Sequence, residues 1–256
     1  MRMVFIAGNW KMYKVKEEAR ALCEGLKGTV GEPSDKVCVA VCPPYTALQE
    51  AASALAGSAI KLGAQNLHWE KEGAFTGELS GAMLKDAGCS FVIIGHSERR
   101  KYFGETNASV NKKVRAALSA GLTPIVCVGE TLEERNANRA LAVVEDHITG
   151  ALQGIESSDI LKIVIAYEPV WAIGTGVNAT PEQAEEVHKF IRGLIAKLYS
   201  QEASENILIL YGGSVKPDNI EVLIKEKDID GALVGGAALK VDSFTQIVKR
   251  SVQAHV

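Results

Sequence analysis

Eight short apolar runs recur along the 256 residues: Val4 to Ala7, Val37 to Val41, Ile60 to Ala64, Phe91 to Ile94, Pro124 to Val128, Ile163 to Ala166, Ile207 to Leu210 and Ala232 to Val234. Turn residues bound them, and most are continuously apolar rather than alternating. That is the pattern of strands buried on both faces, and hence of a parallel sheet. Parallel neighbours need a crossover of a dozen or more residues. Run starts lie 23 residues apart at the closest (Val37 to Ile60) and 44 at the widest (Ile163 to Ile207), room for a helix each time.

Helical signals fill the gaps at Glu17 to Leu26, Thr106 to Ala120, Thr131 to Ile148 and Thr180 to Tyr199. Thr180-Pro-Glu-Gln joins an N-cap Thr, a Pro at the first helical position and a Gln three residues on; Ala184, Val187, Ile191 and Leu194 then keep helical spacing. Thr131-Leu-Glu-Glu opens another helix in the same way. No Ser/Pro/Gly-rich linker divides the chain, so the reading is α/β: residues 1–256 as a single (β/α)8 barrel domain. The competing open, doubly wound sheet would carry G-x-G-x-x-G after its first strand, where Gly8-Asn-Trp-Lys stands instead.

An apolar share of 47% with 23% charged residues supplies a large core. At a net charge of -3, with Lys and Arg dispersed, no basic stripe suggests nucleic acid. The start, Met1-Arg-Met-Val-Phe-Ile-Ala, is interrupted by Asn9 and Lys11 well short of a signal-peptide core, and no apolar run reaches membrane-spanning length. A cytoplasmic protein is expected. Cys23, Cys38, Cys42, Cys89 and Cys127 are odd in number, widely spaced and without C-x-x-C, so they read as small packed hydrophobes rather than disulfide or zinc ligands.

In such a barrel, catalytic groups sit where strands hand over to the following loop. The strand ends carry Asn9 and Lys11, then Gln65 and Asn66, then His96, Ser97 and Glu98, then Glu130 and Glu168, and finally Gly212-Gly-Ser and Gly235-Gly. Each has an ordinary reading alone: a lone Lys is usually a solvated charge, a lone His a hydrogen-bonded structural residue, a Gly pair a turn. Their convergence on one barrel face is what points to a site. Outward-facing N–H groups after strands seven and eight make an anion cradle that glycines let a phosphate approach, which selects Gly213, Ser214, Gly235 and Gly236. A carboxylate base, an imidazole and a cation beside such a cradle suit proton transfer α to a carbonyl of a small sugar phosphate. His68, His147, His188 and His255 are scattered and read as structural or exposed.

Five segments resemble the signature stretches of triosephosphate isomerase: Gly8-Asn-Trp-Lys-Met, Gly95-His-Ser-Glu-Arg-Arg, Ala166-Tyr-Glu-Pro-Val-Trp-Ala-Ile-Gly-Thr-Gly, Tyr211-Gly-Gly-Ser-Val and Leu233-Val-Gly-Gly-Ala. They span residues 8 to 237 in that family's order. The resemblance implies interconversion of dihydroxyacetone phosphate and D-glyceraldehyde 3-phosphate through an enediolate, without cofactor or metal. It implies Glu168 as the base, His96 as a neutral imidazole polarising the carbonyl, Lys11 stabilising negative charge and Asn9 positioning substrate; that family is itself the reference case for the neutral imidazole. It further implies that Glu98 supports the site, that Gly174, Ser214, Gly235 and Gly236 bind phosphate, and that a lid from Val170 to Ala179 closes over it.

A homodimer is also implied, formed by the loop Gln65 to Leu79 with Phe75-Thr-Gly-Glu at its tip. Departures are few: Tyr13 and Ala238 replace the family's usual Asn and Ser, and Val177-Asn178 sit in the variable lid hinge. The residues leave two other readings open, another barrel enzyme of sugar phosphates such as an epimerase or aldolase, or a non-catalytic barrel that binds phosphorylated metabolites. A Schiff-base aldolase would want a lysine where Glu168 stands.

Overall fold

The computed structural model of the chain describes residues 2–32, 36–173 and 179–254. Eight strands, β1 (Val4–Asn9), β2 (Val37–Cys42), β3 (Lys61–Ala64), β4 (Cys89–Ile94), β5 (Thr123–Val128), β6 (Val164–Tyr167), β7 (Leu208–Tyr211) and β8 (Gly231–Val234), pair in chain order into a closed barrel. Every pairing is parallel, and β8 returns to β1 through Phe5↔Gly231 and Ala7↔Leu233. The expected (β/α)8 architecture is therefore what the chain adopts.

Continuous apolar runs are required because the strands face two separate cores. Phe5 and Ala7 of β1, Ile125 and Cys127 of β5, Val164 and Ala166 of β6 belong to one cluster, which fills the barrel's interior. Their alternates Val4 and Ile6, Val126 and Val128, and Ile165 pack with the helices in the outer cluster. Alternation along each strand thus persists, but both faces are apolar. Four of the five cysteines are fully buried in these layers and all are free thiols. Burial pushes the Cys127 thiol well above its ordinary range.

The helix after β6 runs Pro181–Leu198; Thr180 accepts the Gln183 N–H and the Gln183 side chain accepts the Thr180 N–H, the reciprocal cap expected. Such a cap is worth about 1 kcal/mol. The first helix extends beyond its expected end to Lys16–Val30. The stretch expected as one helix from Thr131 to Ile148 is instead two, Leu132–Asn136 and Ala140–Leu152. Asn138 between them adopts φ +56, a left-handed conformation that Asn tolerates better than most residues and that ends a helix. No helix among the described residues is long and apolar enough to cross a membrane.

Candidate active site

Glu168 follows β6 directly and is 2% exposed. Two glycines make room for it. A Cβ on Gly129 would fall 1.8 Å from the Glu168 carbonyl oxygen, and one on Gly212 would fall 2.8 Å from Glu168 Cγ. The Glu168 N–H donates to Val128 O at 2.7 Å, so the backbone is held at the strand's last rung.

His96 follows β4 and caps the helix Ser97–Phe103: its Nδ1 accepts the Glu98 N–H at 3.2 Å. Its Nε2 lies 2.9 Å from Glu168 Oε1, while Glu168 Oε2 accepts the Ser97 N–H at 3.0 Å. Burial works against the Glu168 carboxylate, but the His96 Nε2–H, the Ser97 N–H and the Lys11 charge favour it and hold its pKa below the ordinary glutamate value. For His96 burial disfavours the imidazolium, whereas Glu168 and then Glu98 favour it, leaving the balance on the raised side while Glu168 stays against it. The Nδ1 contact argues the opposite, and it decides: an imidazolium would set its own N–H against the Glu98 N–H. The ring is neutral, with its one proton on Nε2 directed at Glu168. Once the carboxylate moves off toward a substrate, the largest support for the imidazolium goes with it, and burial and Lys11, opposed only by Glu98, favour the neutral form further.

Lys11 sits two residues beyond Asn9, the last residue of β1, at φ +52. A non-glycine residue there costs of order 1–3 kcal/mol, and surrounding bonds must enforce it. Its N–H donates to Asn9 Oδ1 at 3.0 Å, and its carbonyl accepts Gln65 Nε2 at 2.8 Å; the same Nε2 reaches Cys42 O at 2.8 Å. Its Nζ lies 2.6 Å from Glu98 Oε1. Strained backbone and ion pair together fix the ammonium over the barrel mouth.

A cavity of about 360 Å³ opens there. Asn9, Lys11, His96 and Glu168 line it together with the turns Gly212 to Ser214 and Gly235-Gly236. Glu98 is not in the wall; it stands behind, on Lys11 and 3.7 Å from His96 Nδ1. Gly174 lies outside the described residues, as do Thr175 to Asn178, so only Val170 to Ile173 and Ala179 of the expected lid are placed.

Glu130, grouped by sequence with the strand-end residues, has another position. It is wholly buried, and its Oε1 accepts Trp171 Nε1 at 2.8 Å, the Tyr167 hydroxyl at 3.1 Å and Arg135 Nη1 at 3.1 Å. Arg135 also lies over the Trp171 ring, 4.9 Å from its centroid. Glu130 therefore anchors the turn Val170–Ala172 that follows β6 and Glu168, and does not line the cavity. Asn66 is likewise occupied elsewhere, accepting Lys113 Nζ at 2.6 Å. The scattered histidines are structural: His147 Nδ1 accepts the Gly129 N–H at 3.3 Å, and burial lowers its pKa to about 4. His188 is fully buried edge-on to Tyr167, with its pKa lowered by burial to about 3. His68 is buried between Trp69 and Phe75, and His255 lies outside the described residues.

Sequence reasoning passed over Gly212, Gly129, Gln65's tie to Lys11, and Lys216, which also lines the cavity. Gly212 was legible as part of the Gly-Gly-Ser turn, but its service to Glu168 depends on two strands coming together.

A family model described as triosephosphate isomerase matches residues 4–251. The chain belongs to the triosephosphate isomerase family. A triosephosphate isomerase of Carboxydothermus hydrogenoformans is 57% identical over 256 residues, covering 98% of this chain and 100% of the relative. Triosephosphate isomerases of Geotalea uraniireducens and Chloroflexus aurantiacus are 56% and 54% identical, each covering at least 97% of this chain and 99% of the relative. The family resemblance read from five segments thus extends along essentially the whole barrel.

Proposed function

We propose that this chain interconverts dihydroxyacetone phosphate and D-glyceraldehyde 3-phosphate, the triose phosphate step shared by glycolysis and gluconeogenesis. The observation that carries the reading is the 2.9 Å contact of buried Glu168 with His96 Nε2, in a cavity lined also by Lys11 and two glycine turns. Phosphate N–H donors come from Ser214, Gly235 and Gly236, with Gly174 as the fourth group on the lid. The phosphate fixes which carbon stands before Glu168.

Glu168 takes the proton from the carbon beside the carbonyl, and the electron pair moves onto the carbonyl oxygen. His96 Nε2–H and Lys11 meet the charge that develops there, and Asn9 positions the oxygens. These donors are fixed before the charge appears, which is how such groups lower a barrier. Through His96 Nε2 the old carbonyl oxygen gains a proton and the adjacent hydroxyl gives one up, while Glu168 returns its proton to the former carbonyl carbon; the new carbonyl stands on the carbon first deprotonated, a 1,2-shift in which nothing is oxidised overall. Where Glu168 rests now, its Oε2 is engaged by the Ser97 N–H, so the carboxylate must leave that donor to reach substrate. Loss of a stabilising partner makes it a stronger base at the moment it is needed.

Residues 1–256 act as one catalytic domain, because the eight strands close into a single barrel whose inner and outer apolar layers are built on the same strands. The protein works in the cytoplasm as a homodimer through residues 65–79. Supporting the dimer, Phe75 of that loop is exposed together with Met12, Tyr13, Met83, Tyr102 and Phe103. A partner docked on that loop would cover Phe75. The direct test is isomerisation of D-glyceraldehyde 3-phosphate, coupled to reduction of the product, without added metal or nucleotide. Turnover is expected; a folded protein without it contradicts the proposal.

A further inference from the structure

A dianionic substrate entering this cleft meets a charge problem. Lys11 is already paired at 2.6 Å with Glu98, which stands behind the wall, and Glu168 in the wall is held ionised, so the wall and its backing together carry one positive charge against two negative ones. Backbone N–H groups offset part of this, but they act only at short range. The other cation lining the cavity is Lys216, three residues beyond Gly213 at the rim of the same phosphate-facing turn. Its ammonium makes no ion pair or hydrogen bond among the described residues, unlike that of Lys11.

The backbone that carries Lys216 is held in place. Its N–H donates to Asn219 Oδ1 at 2.8 Å, and Asn219 Nδ2 donates to Ser214 O at 2.9 Å, so a single amide ties the lysine to the phosphate turn. Arg250 Nη1 braces the next residue through Pro217 O at 2.7 Å. A mobile stem on a fixed base suits a cation that captures an incoming anion.

We propose that Lys216 is a second phosphate-binding cation of this site, one that brings the cleft to neutrality and selects for phosphorylated substrate. The inference rests on the isomerase reading above. It assigns Lys216 to capture rather than to chemistry, since Lys216 is an exposed residue of the phosphate turn, whereas Glu168 and His96 are buried. Coulombic attraction to a dianion at an exposed rim is also screened by salt.

The test is Lys216→Gln, with Lys216→Arg as the charge-conserving control. Because Lys216 is exposed, both variants are expected to melt with the wild type. For Lys216→Gln, KM for D-glyceraldehyde 3-phosphate and Ki for inorganic phosphate should each rise about three- to tenfold, with kcat within about twofold. The fall of kcat/KM with added salt should flatten in Lys216→Gln and persist in Lys216→Arg. Unchanged KM and Ki in Lys216→Gln would overturn the inference. Should the wild type lack isomerase activity, calorimetric titration with inorganic phosphate still decides it: weaker binding by Lys216→Gln upholds Lys216 as an anion ligand, and equal binding removes it.

Discussion

The Glu168 carboxylate bridges two groups that belong to the same turn: Oε1 lies 2.9 Å from His96 Nε2 and Oε2 3.0 Å from the Ser97 N–H. The base is thereby stored in its ionised form beside the acid it works with. This resting position has a pH signature. With its pKa held below the ordinary glutamate value, protonation of Glu168 removes the base, so activity is present above that pKa and lost as pH falls through it. In kcat/KM against pH, the substrate's own phosphate contributes a limb near pH 6. The enzyme's limb should fall below about 4.3, the value of a free glutamate. A carboxylate limb above it, followed through the infrared band of Glu168 and so distinguished from the imidazole's, would contradict the resting geometry.

The two glycine turns separate sterically. A Cβ on Gly212 would meet Glu168 Cγ at 2.8 Å and Tyr167 O at 3.1 Å, whereas one on Gly236 would meet nothing within 4 Å. Gly212→Ala should therefore displace the base and lower kcat by about a hundredfold. Gly236→Ala should keep both kcat and melting temperature and raise KM, since only an approaching phosphate would feel the methyl. Steady-state kinetics of the two variants check this; a lowered kcat in Gly236→Ala would count against it.

Trp171 donates to Glu130 at 2.8 Å directly after the catalytic strand. Trp171→Phe keeps the ring and removes the donor, loosening the turn that leads into residues 174–178. Closing a lid excludes water and retains a reactive intermediate. An enediolate phosphate that is released can eliminate its phosphate, so inorganic phosphate formed per isomerisation should rise in Trp171→Phe, and more so when the lid is shortened. An unchanged ratio would refute the role given to this turn.

Far from the cleft, at the opposite end of the barrel, Arg192 Nη2 lies 2.7 Å from Asp230 Oδ2 and its Nε 2.8 Å from Asp228 Oδ1. All three residues are buried, and Asp230 Oδ2 also accepts the Ile209 N–H at 2.8 Å. Removing Arg192 leaves the two buried carboxylates, among the described residues, to Arg2 alone, which pairs with Asp230 and lies 4.0 Å from Asp228, at a cost of up to about 3–5 kcal/mol. Arg192→Met should lose that much by denaturant titration while keeping its kcat at low temperature. A loss under about 1 kcal/mol would show the network to be dispensable.

Strands were legible because a buried parallel strand writes itself as an unbroken apolar run, and the first polar residue after each run marked the cleft. Asn9, Lys11, His96 and Glu168 were found that way. Glu130 obeyed the same rule yet turned from the cavity, because Tyr167 and Trp171 of the next strand and loop supply its donors, a relation between segments nearly forty residues apart. The left-handed Lys11 left no local sign either; a Lys is an unusual choice at φ +52, and Asn9 and Gln65 enforce it from outside. The split at Asn138 was masked by a helical pattern on both sides. Short helices such as Gly81–Asp86 and Ile220–Ile224 span too few turns to display a period.

The central claim is that Glu168 moves the substrate's proton. Glu168→Asp retains the charge and withdraws the carboxylate by one methylene, about 1 Å, a displacement that costs roughly a hundredfold when a catalytic group is misplaced. In the coupled assay with D-glyceraldehyde 3-phosphate, kcat should fall by about that factor or more, while KM changes little because the phosphate turns are untouched. A Glu168→Asp enzyme that folds like the wild type and turns over at the wild-type rate would contradict the account.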